Sequence, residues 1–171
     1  MNNKLIVFEE KLSNIEKNII QSLHKLSNEV INNCFDFSFK NNIIALKFMD
    51  ISNAFCPFEI IFSRENDLTY FSFYIGYGAE VACHEQIGDK NNDHLLIHDI
   101  DSFLRSNVRA EYIFDSGEKI IKATYYPDLL LQEVPNASYV FRSGYILFFK
   151  KYISKAINYR PLIENRANHE K

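Results

Sequence analysis

The feature that most constrains the fold is a change in hydrophobic period near residue 34. Before it, apolar residues recur at steps of three and four, which predicts an amphipathic helix of about seven turns. The apolar stripe consists of Leu5, Phe8, Leu12, Ile15, Ile19, Leu23, Leu26 and Val30. After it, Phe35, Phe37 and Phe39 alternate with polar residues, as in a strand with one buried face. The sequence therefore predicts a long N-terminal helix followed by a sheet.

Turn residues divide the following segment into hairpins. Asn41-Asn42, Glu65-Asn66-Asp67 and Asp115-Ser116-Gly117-Glu118 each lie between two runs rich in aromatic and β-branched residues. The predicted strand pairs are residues 35–40 with 44–48, 58–62 with 68–75, and 108–114 with 119–126. Strands joined by such short turns are antiparallel neighbours.

Two further helices complete the prediction. A polar, acidic stretch precedes a helix at residues 93–106, and a last helix is expected to end before Pro161. Its apolar residues are Tyr145, Phe149, Tyr152, Ala156 and Tyr159. We therefore expect an α+β fold, with the long N-terminal helix and the C-terminal helix packed on a hairpin-built antiparallel sheet. Residues 1–163 are expected to form a single domain, and polar residues 164–171 a frayed tail.

Composition places the chain among globular, intracellular proteins. Of its 171 residues 47% are hydrophobic and 24% charged, which suits one domain with a substantial core. Three cysteines without CxxC spacing indicate reduced thiols rather than a disulfide framework. The sequence shows neither a signal-peptide core nor an apolar run long enough to cross a bilayer. We expect a cytoplasmic protein without a membrane partner.

Charge is distributed unevenly along the chain. Residues 80–101 hold six acids and one base, whereas residues 142–166 hold six bases and one acid. The acidic stretch is either a solvated surface or a patch that attracts a basic partner. The net charge of −3 argues against nucleic acid as that partner. The predicted partner-binding residues are Glu80, Glu85, Asp89, Asp93, Asp99, Asp101 and Tyr77.

Aromatic residues crowd the strand at 68–75 and the turn after it. Such a set can stack on nucleic-acid bases, but only Arg64 supplies positive charge nearby. Core packing on one face and a protein interface at the exposed tyrosines are therefore favoured. The set comprises Tyr70, Phe71, Phe73, Tyr74 and Tyr77.

Three motifs have some of the residues of a catalytic or binding site. His94, His98 and Asp101 would share one helix face, which suits either a metal ion or a polar outer surface. Adjacent strand residues point to opposite faces, so Cys83-His84-Glu85 does not favour a nucleophile–base pair. Gly76-Tyr77-Gly78 lacks the remaining residues of a phosphate loop and favours a tight turn or bulge. We expect no catalytic residue, cofactor or metal ion.

In general character the chain resembles the immunity proteins of bacterial contact-dependent inhibition and other polymorphic toxin systems. The resemblance covers size, leading helix, aromatic sheet, acidic middle, asparagine content and the hairpin from Val108-Arg109-Ala110-Glu111-Tyr112 to Gly117-Glu118-Lys119. It implies one-to-one binding of a cognate toxin domain, often a nuclease, and assigns no role to individual residues. We therefore expect an antitoxin that blocks a basic toxin through an acidic and aromatic surface. The alternative is a small-ligand-binding or metal-dependent enzyme with a site around His94 and His98, and the oligomeric state stays open.

Overall fold

A computed structural model describes residues 12–14, 16–17, 35–50, 52–66, 68–87, 90–116, 118–129, 138–143 and 151–163. Within these ranges nine strands form two antiparallel sheets, and one helix has seven or more residues. The elements are β1 Phe35–Lys40, β2 Ile43–Phe48, β3 Phe58–Glu65, β4 Leu68–Ile75, β5 Ala79–Ile87, α1 Lys90–Arg105, β6 Val108–Phe114, β7 Ile120–Pro127, β8 Tyr139–Arg142 and β9 Ile153–Tyr159.

The first sheet is a five-stranded meander in the order β1-β2-β3-β4-β5. Its β1–β2 and β3–β4 hairpins confirm the first two predicted strand pairs. At the first turn Asn41 and Asn42 have φ of 49° and 62°, a left-handed pair that asparagine tolerates and that matches the twist of the flanking strands. Alternation buries one face, formed by Ile44, Leu46, Phe48, Phe58, Ile60, Phe62, Phe71, Phe73 and Ile75.

Helix α1 covers part of this buried face. Its apolar side consists of Leu96, Ile100, Phe103 and Leu104, all buried as the sequence pattern predicts. The ring of Phe103 meets Phe58 and Phe73 edge-on, at centroid distances of 5.6 and 5.4 Å. Such pairs contribute about 0.5–1.5 kcal/mol each beyond the burial of their area. No helix in the described ranges has both the length and the apolar character needed to cross a bilayer.

The second sheet has four strands in the order β8-β7-β6-β9. The predicted hairpin of β6 and β7 is confirmed, with Tyr112 opposite Ala123 and Ala110 opposite Tyr125. These four side chains are buried and belong to one core cluster with the first sheet and helix α1. The domain boundary at residue 163 stays a prediction, because residues 164–171 lie outside the described ranges.

The predicted α+β fold is wrong, because the described residues are mostly strand and form two antiparallel sheets with one helix of seven or more residues. Residues 153–159, assigned to a C-terminal helix, form β9 and pair with β6 from end to end. Their odd-numbered positions bring Ile157 beside Ala110 and Tyr159 beside Val108, on the buried side of the sheet. Alternation and pairing with a distant strand therefore override the helical spacing of the aromatic residues.

The long N-terminal helix is also wrong, because its apolar stripe is interrupted. Leu12 lies in a bend, and a new helical turn starts after Ser13. The Ser13 N–H donates to the Glu16 carboxylate at 2.6 Å, and the Glu16 N–H donates to the Ser13 hydroxyl at 3.3 Å. This reciprocal capping box marks a helix N-terminus, so one helix cannot run through it. The other residues of the stripe lie outside the described ranges.

Two strands occupy segments that the sequence pattern left without strands. The acidic stretch after Gly78 contains β5, which pairs with β4 through an irregular register. β8 lies between the predicted strand at residues 119–126 and the predicted last helix, and pairs with β7 over four residues. Bulges interrupt the alternation of β5, and β8 has four residues, which is too short a run to stand out in the sequence.

Candidate functional site

A groove of about 230 Å³ opens at one end of the first sheet. Three strands end or begin there, because Phe48 pairs with Phe58 and Phe58 pairs with Ile75. The loop after β2 and the turn between β4 and β5 form its two sides. Its lining comprises Lys47, Met49, Asp50, Asn53, Pro57, Glu59, Gly76, Tyr77 and Gly78.

The turn on one side of the groove is fastened to the second sheet. Gly76 has φ of +59°, and a Cβ placed on it would lie 1.9 Å from Cζ of Tyr125. Only glycine suits both the left-handed backbone and this close approach. The Tyr77 backbone N–H donates to Oη of Tyr125 at 2.9 Å. The predicted tight turn at Gly76-Tyr77-Gly78 is thus confirmed, and buried Tyr125 fixes its position.

The side chain of Tyr77 is 49% exposed and packs against a buried tyrosine. Its ring lies edge-on to Tyr112, with centroids 6.0 Å apart. Oη of Tyr112 is 2.7 Å from Oη of Tyr159, so a buried hydroxyl pair supports the ring from below. Burial raises the pKa of Tyr112, Tyr125 and Tyr159, which keeps these phenols neutral and able to donate. Tyr77 therefore presents an exposed ring in a defined orientation.

The loop on the other side of the groove is organised by Asp50. Its carboxylate accepts hydrogen bonds from the backbone N–H groups of Ser52, Ala54 and Phe55, at 3.0, 2.8 and 3.1 Å. Burial alone would raise the pKa of Asp50, but the Ser52 hydroxyl and these N–H groups outweigh it and lower the pKa below 3.8. Asp50 is therefore ionised at neutral pH and holds the loop that displays Met49, which is 53% exposed.

Acidic residues lie in a row on the outer face of the first sheet, beside the groove. Across the outer face of the sheet, Lys47 is opposite Glu59, Glu59 is opposite Tyr74, and Tyr74 is opposite Glu80. Residues directly opposite on neighbouring strands have Cβ atoms about 5 Å apart, so these four form one row. The row holds two acids and one base, and Asp50 adds another carboxylate at the groove. The site combines exposed apolar groups with an excess of negative charge.

The structure divides the predicted acidic surface. Tyr77 lines the groove, and exposed Glu80 lies opposite Tyr74 on the same sheet. Asp101 accepts a hydrogen bond from Nε of Arg105 at 2.9 Å, and Asp99 lies on another side of α1, about 200° around the helix. Burial raises the pKa of Asp99 although the nearby imidazole of His98 opposes this. Glu85, Asp89 and Asp93 have side chains outside the described set.

The predicted histidine face does not form a site among the described side chains. The imidazole of His98 is 78% exposed, and Asp101 is engaged by Arg105. The side chains of His94 and of Cys83-His84-Glu85 are not among those described. Within the described set, no group of three or more His, Cys, Asp or Glu is placed to hold a metal ion.

The aromatic strand follows the core-packing interpretation. Phe71 and Phe73 are fully buried, whereas Tyr70 and Tyr74 are half-buried on the opposite face. Arg64, the cation near this strand, donates to both carboxylate oxygens of buried Glu16. One face of the strand is part of the core, and Tyr77, in the turn after it, is exposed.

Several groove residues were absent from the predicted set, namely Lys47, Met49, Asp50, Asn53, Pro57 and Glu59. One sequence signal was available, since an aspartate followed two positions later by serine favours an Asx turn, as at Asp50 and Ser52. The remaining residues join the groove only because β2 and β3 end beside the β4–β5 turn.

Comparison of the chain with protein-family models, curated proteins and solved structures finds no match. No relative therefore supplies a function or an active residue. Any functional assignment rests on the geometry of the groove itself.

Proposed function

We propose that the protein is a toxin-neutralising immunity protein that binds a basic cognate toxin domain through the groove. The observation that carries this proposal is that two exposed apolar side chains, Met49 and Tyr77, line the same groove, whose turn and loop are held by hydrogen bonds. Tyrosine is enriched among interface residues that contribute most to binding, and methionine adapts its shape to a partner. The Tyr77 ring already packs against Tyr112, so it loses little conformational entropy on binding.

The charge around the groove favours a basic partner. Glu59, Glu80 and Asp50 outnumber Lys47, the cation that lines the groove. Opposite charges on two proteins accelerate encounter, and this acceleration falls as salt increases. A nuclease domain fits this requirement, since its cleft binds phosphates and the row of carboxylates offers negative charge in their place. Occupation of that cleft would block the toxin.

The experiment uses the product of the reading frame next to the gene of this chain. We expect that product to arrest growth when expressed alone, and co-expression of this chain to restore growth. The purified pair should form a one-to-one complex. Tyr77→Ala should weaken it at least thirtyfold, equivalent to about 2 kcal/mol, as expected for a central interface aromatic.

Matched variants separate a docking surface from a general effect on folding. Phe39 and Leu68 are 45% and 38% exposed on the same sheet, away from the groove, so Phe39→Ala and Leu68→Ala should leave affinity unchanged. Replacing Glu59 and Glu80 by glutamine should slow association about tenfold at low salt. Unrelieved growth arrest would contradict the toxin-neutralising function. If the chain restores growth but Tyr77→Ala leaves its affinity for the toxin unchanged, the interface lies elsewhere on the protein.

A further inference from the structure

The outer edge of the second sheet has features of a strand-docking site. β9 is the last strand in the order β8-β7-β6-β9 and pairs with β6 alone among the described strands. Seven consecutive residue pairs join them, from Val108 opposite Tyr159 to Phe114 opposite Ile153, without a bulge. In an antiparallel pair, alternate backbone groups of an edge strand point away from its neighbour. A regular edge of this length can accept another strand.

The side chains of β9 leave this edge accessible. Residues 153–156 are exposed on both faces of the strand, and Ile153 is 59% exposed. Proteins commonly protect an edge with a proline, a bulge, a very short strand or charged residues, especially lysine, and Lys155 is such a residue in β9. β9 has seven residues and contains no proline, since Pro161 comes after its end. Strand addition to an exposed edge takes its affinity from main-chain hydrogen bonds and its specificity from side-chain contacts, which Ile153 can offer.

Charge selects which strand can be added. Residues 151–163 contain Lys151, Lys155 and Arg160 and no acid. Lys155 lies opposite Tyr112 on the core-facing side of the sheet and is nevertheless exposed. If two copies of the chain paired edge to edge, the joined strands would bring two sets of these cations together without an acid between them, and like charges on neighbouring strands are destabilising. An acidic strand would instead place carboxylates beside them.

We propose that β9 is a docking edge for an extended, acidic segment of another polypeptide. The segment adds a fifth strand to the second sheet through backbone hydrogen bonds, and its carboxylates pair with Lys151 and Lys155. Arg160 lies past the end of β9, where it is bridged to Phe55 and stacks on its ring. An apolar side chain of the segment packs on Ile153. This interaction is separate from the groove, which carries the opposite charge and belongs to the other sheet.

The test uses defined peptides and needs no toxin. The probe is a blocked seven-residue peptide of alternating glutamate and valine, and its charge-matched control carries N-methyl groups on alternate residues, in either register. We expect the probe to bind and to slow hydrogen exchange of alternate amides in β9. N-methylation in the register that blocks the paired edge should abolish binding, because methyl groups remove the backbone donors and leave the charge intact.

Protein variants test the charge requirement. Lys151→Glu with Lys155→Glu should weaken probe binding at least tenfold, whereas Lys40→Glu on the edge strand of the first sheet should leave it unchanged. Equal binding of the probe and both methylated controls would overturn strand addition in favour of simple charge attraction. No binding at millimolar concentration, or a β9-dependent dimer of this chain in sedimentation, would also overturn the proposal. None of these outcomes bears on toxin neutralisation, so the two proposals fail independently.

Discussion

Substitution of Gly76 by alanine tests whether the β4–β5 turn is fastened to the second sheet as described. The new Cβ would lie 1.9 Å from Cζ and 2.0 Å from Oη of Tyr125, whose side chain is fully buried. The left-handed backbone costs about 1–2 kcal/mol for a residue with a Cβ. Forcing the buried ring aside costs about 1–3 kcal/mol more. We therefore expect the free energy of unfolding to fall by about 2–5 kcal/mol, measured by urea denaturation.

Gly78 provides the matched control, because it shares the turn without the close approach. Its φ is +94°, and a Cβ there would be 3.6 Å from Cδ2 of Phe141, an ordinary contact. Gly78→Ala should therefore cost only the backbone strain, about 1–2 kcal/mol. The difference between the two variants isolates the collision with Tyr125.

A double variant distinguishes this collision from other causes. Tyr125→Leu removes Cζ and Oη, so Gly76→Ala made in that background should cost no more than Gly78→Ala does. The non-additivity would be about 1–3 kcal/mol, as for residues in direct contact. Equal costs for the two glycine substitutions, or additive effects with Tyr125→Leu, would refute the reasoning and leave the turn free of the second sheet.

Three further substitutions test individual interactions by urea denaturation. Asp50→Asn should lower the free energy of unfolding by about 1–2 kcal/mol at neutral pH. Folding lowers the pKa of Asp50, so the stabilisation from its carboxylate is present above pH 3.8 and is lost as pH falls through the folded-state pKa. The stability of the variant should therefore approach that of the wild type in acid. Lys122→Glu should stabilise the protein by about 0.5–1 kcal/mol, since Lys122 lies directly opposite Arg142 and a like-charged pair becomes an opposite one. Glu16→Gln should cost about 1–3 kcal/mol, because glutamine can keep the capping box but removes the charge that buried Glu16 offers Arg64.

Each of these expectations has a result that would contradict it. A difference between Asp50→Asn and the wild type that stays constant down to pH 2 would show that ionisation of Asp50 does not stabilise the loop. Lys40→Glu is the control for Lys122→Glu, because Lys40 faces Ile43 and has no charge opposite it; equal effects would remove the role of Arg142. A neutral Glu16→Gln would mean that its ion pair with Arg64 adds nothing to the cap.

The sequence by itself determined the local parts of the fold. The hairpins at Asn41-Asn42 and Glu65-Asn66-Asp67 and the buried side of α1 follow from short-range patterns, because a turn residue and an alternating period act over a few neighbours. Tyr77 and Glu80 are exposed on the first sheet, and their role in binding a partner stays a prediction.

Only the tertiary structure decided the conformation of residues 153–159, the break in the N-terminal apolar stripe and the position of the groove. Residues 153–159 fit a helical spacing and an alternating one, and pairing with β6 selected the strand. Ser13 and Glu16 interrupt an apolar stripe that looks continuous in the sequence. The groove depends on Tyr125 reaching the Tyr77 backbone across 48 residues of sequence. Contacts of this kind join segments far apart in the chain, so no local period records them.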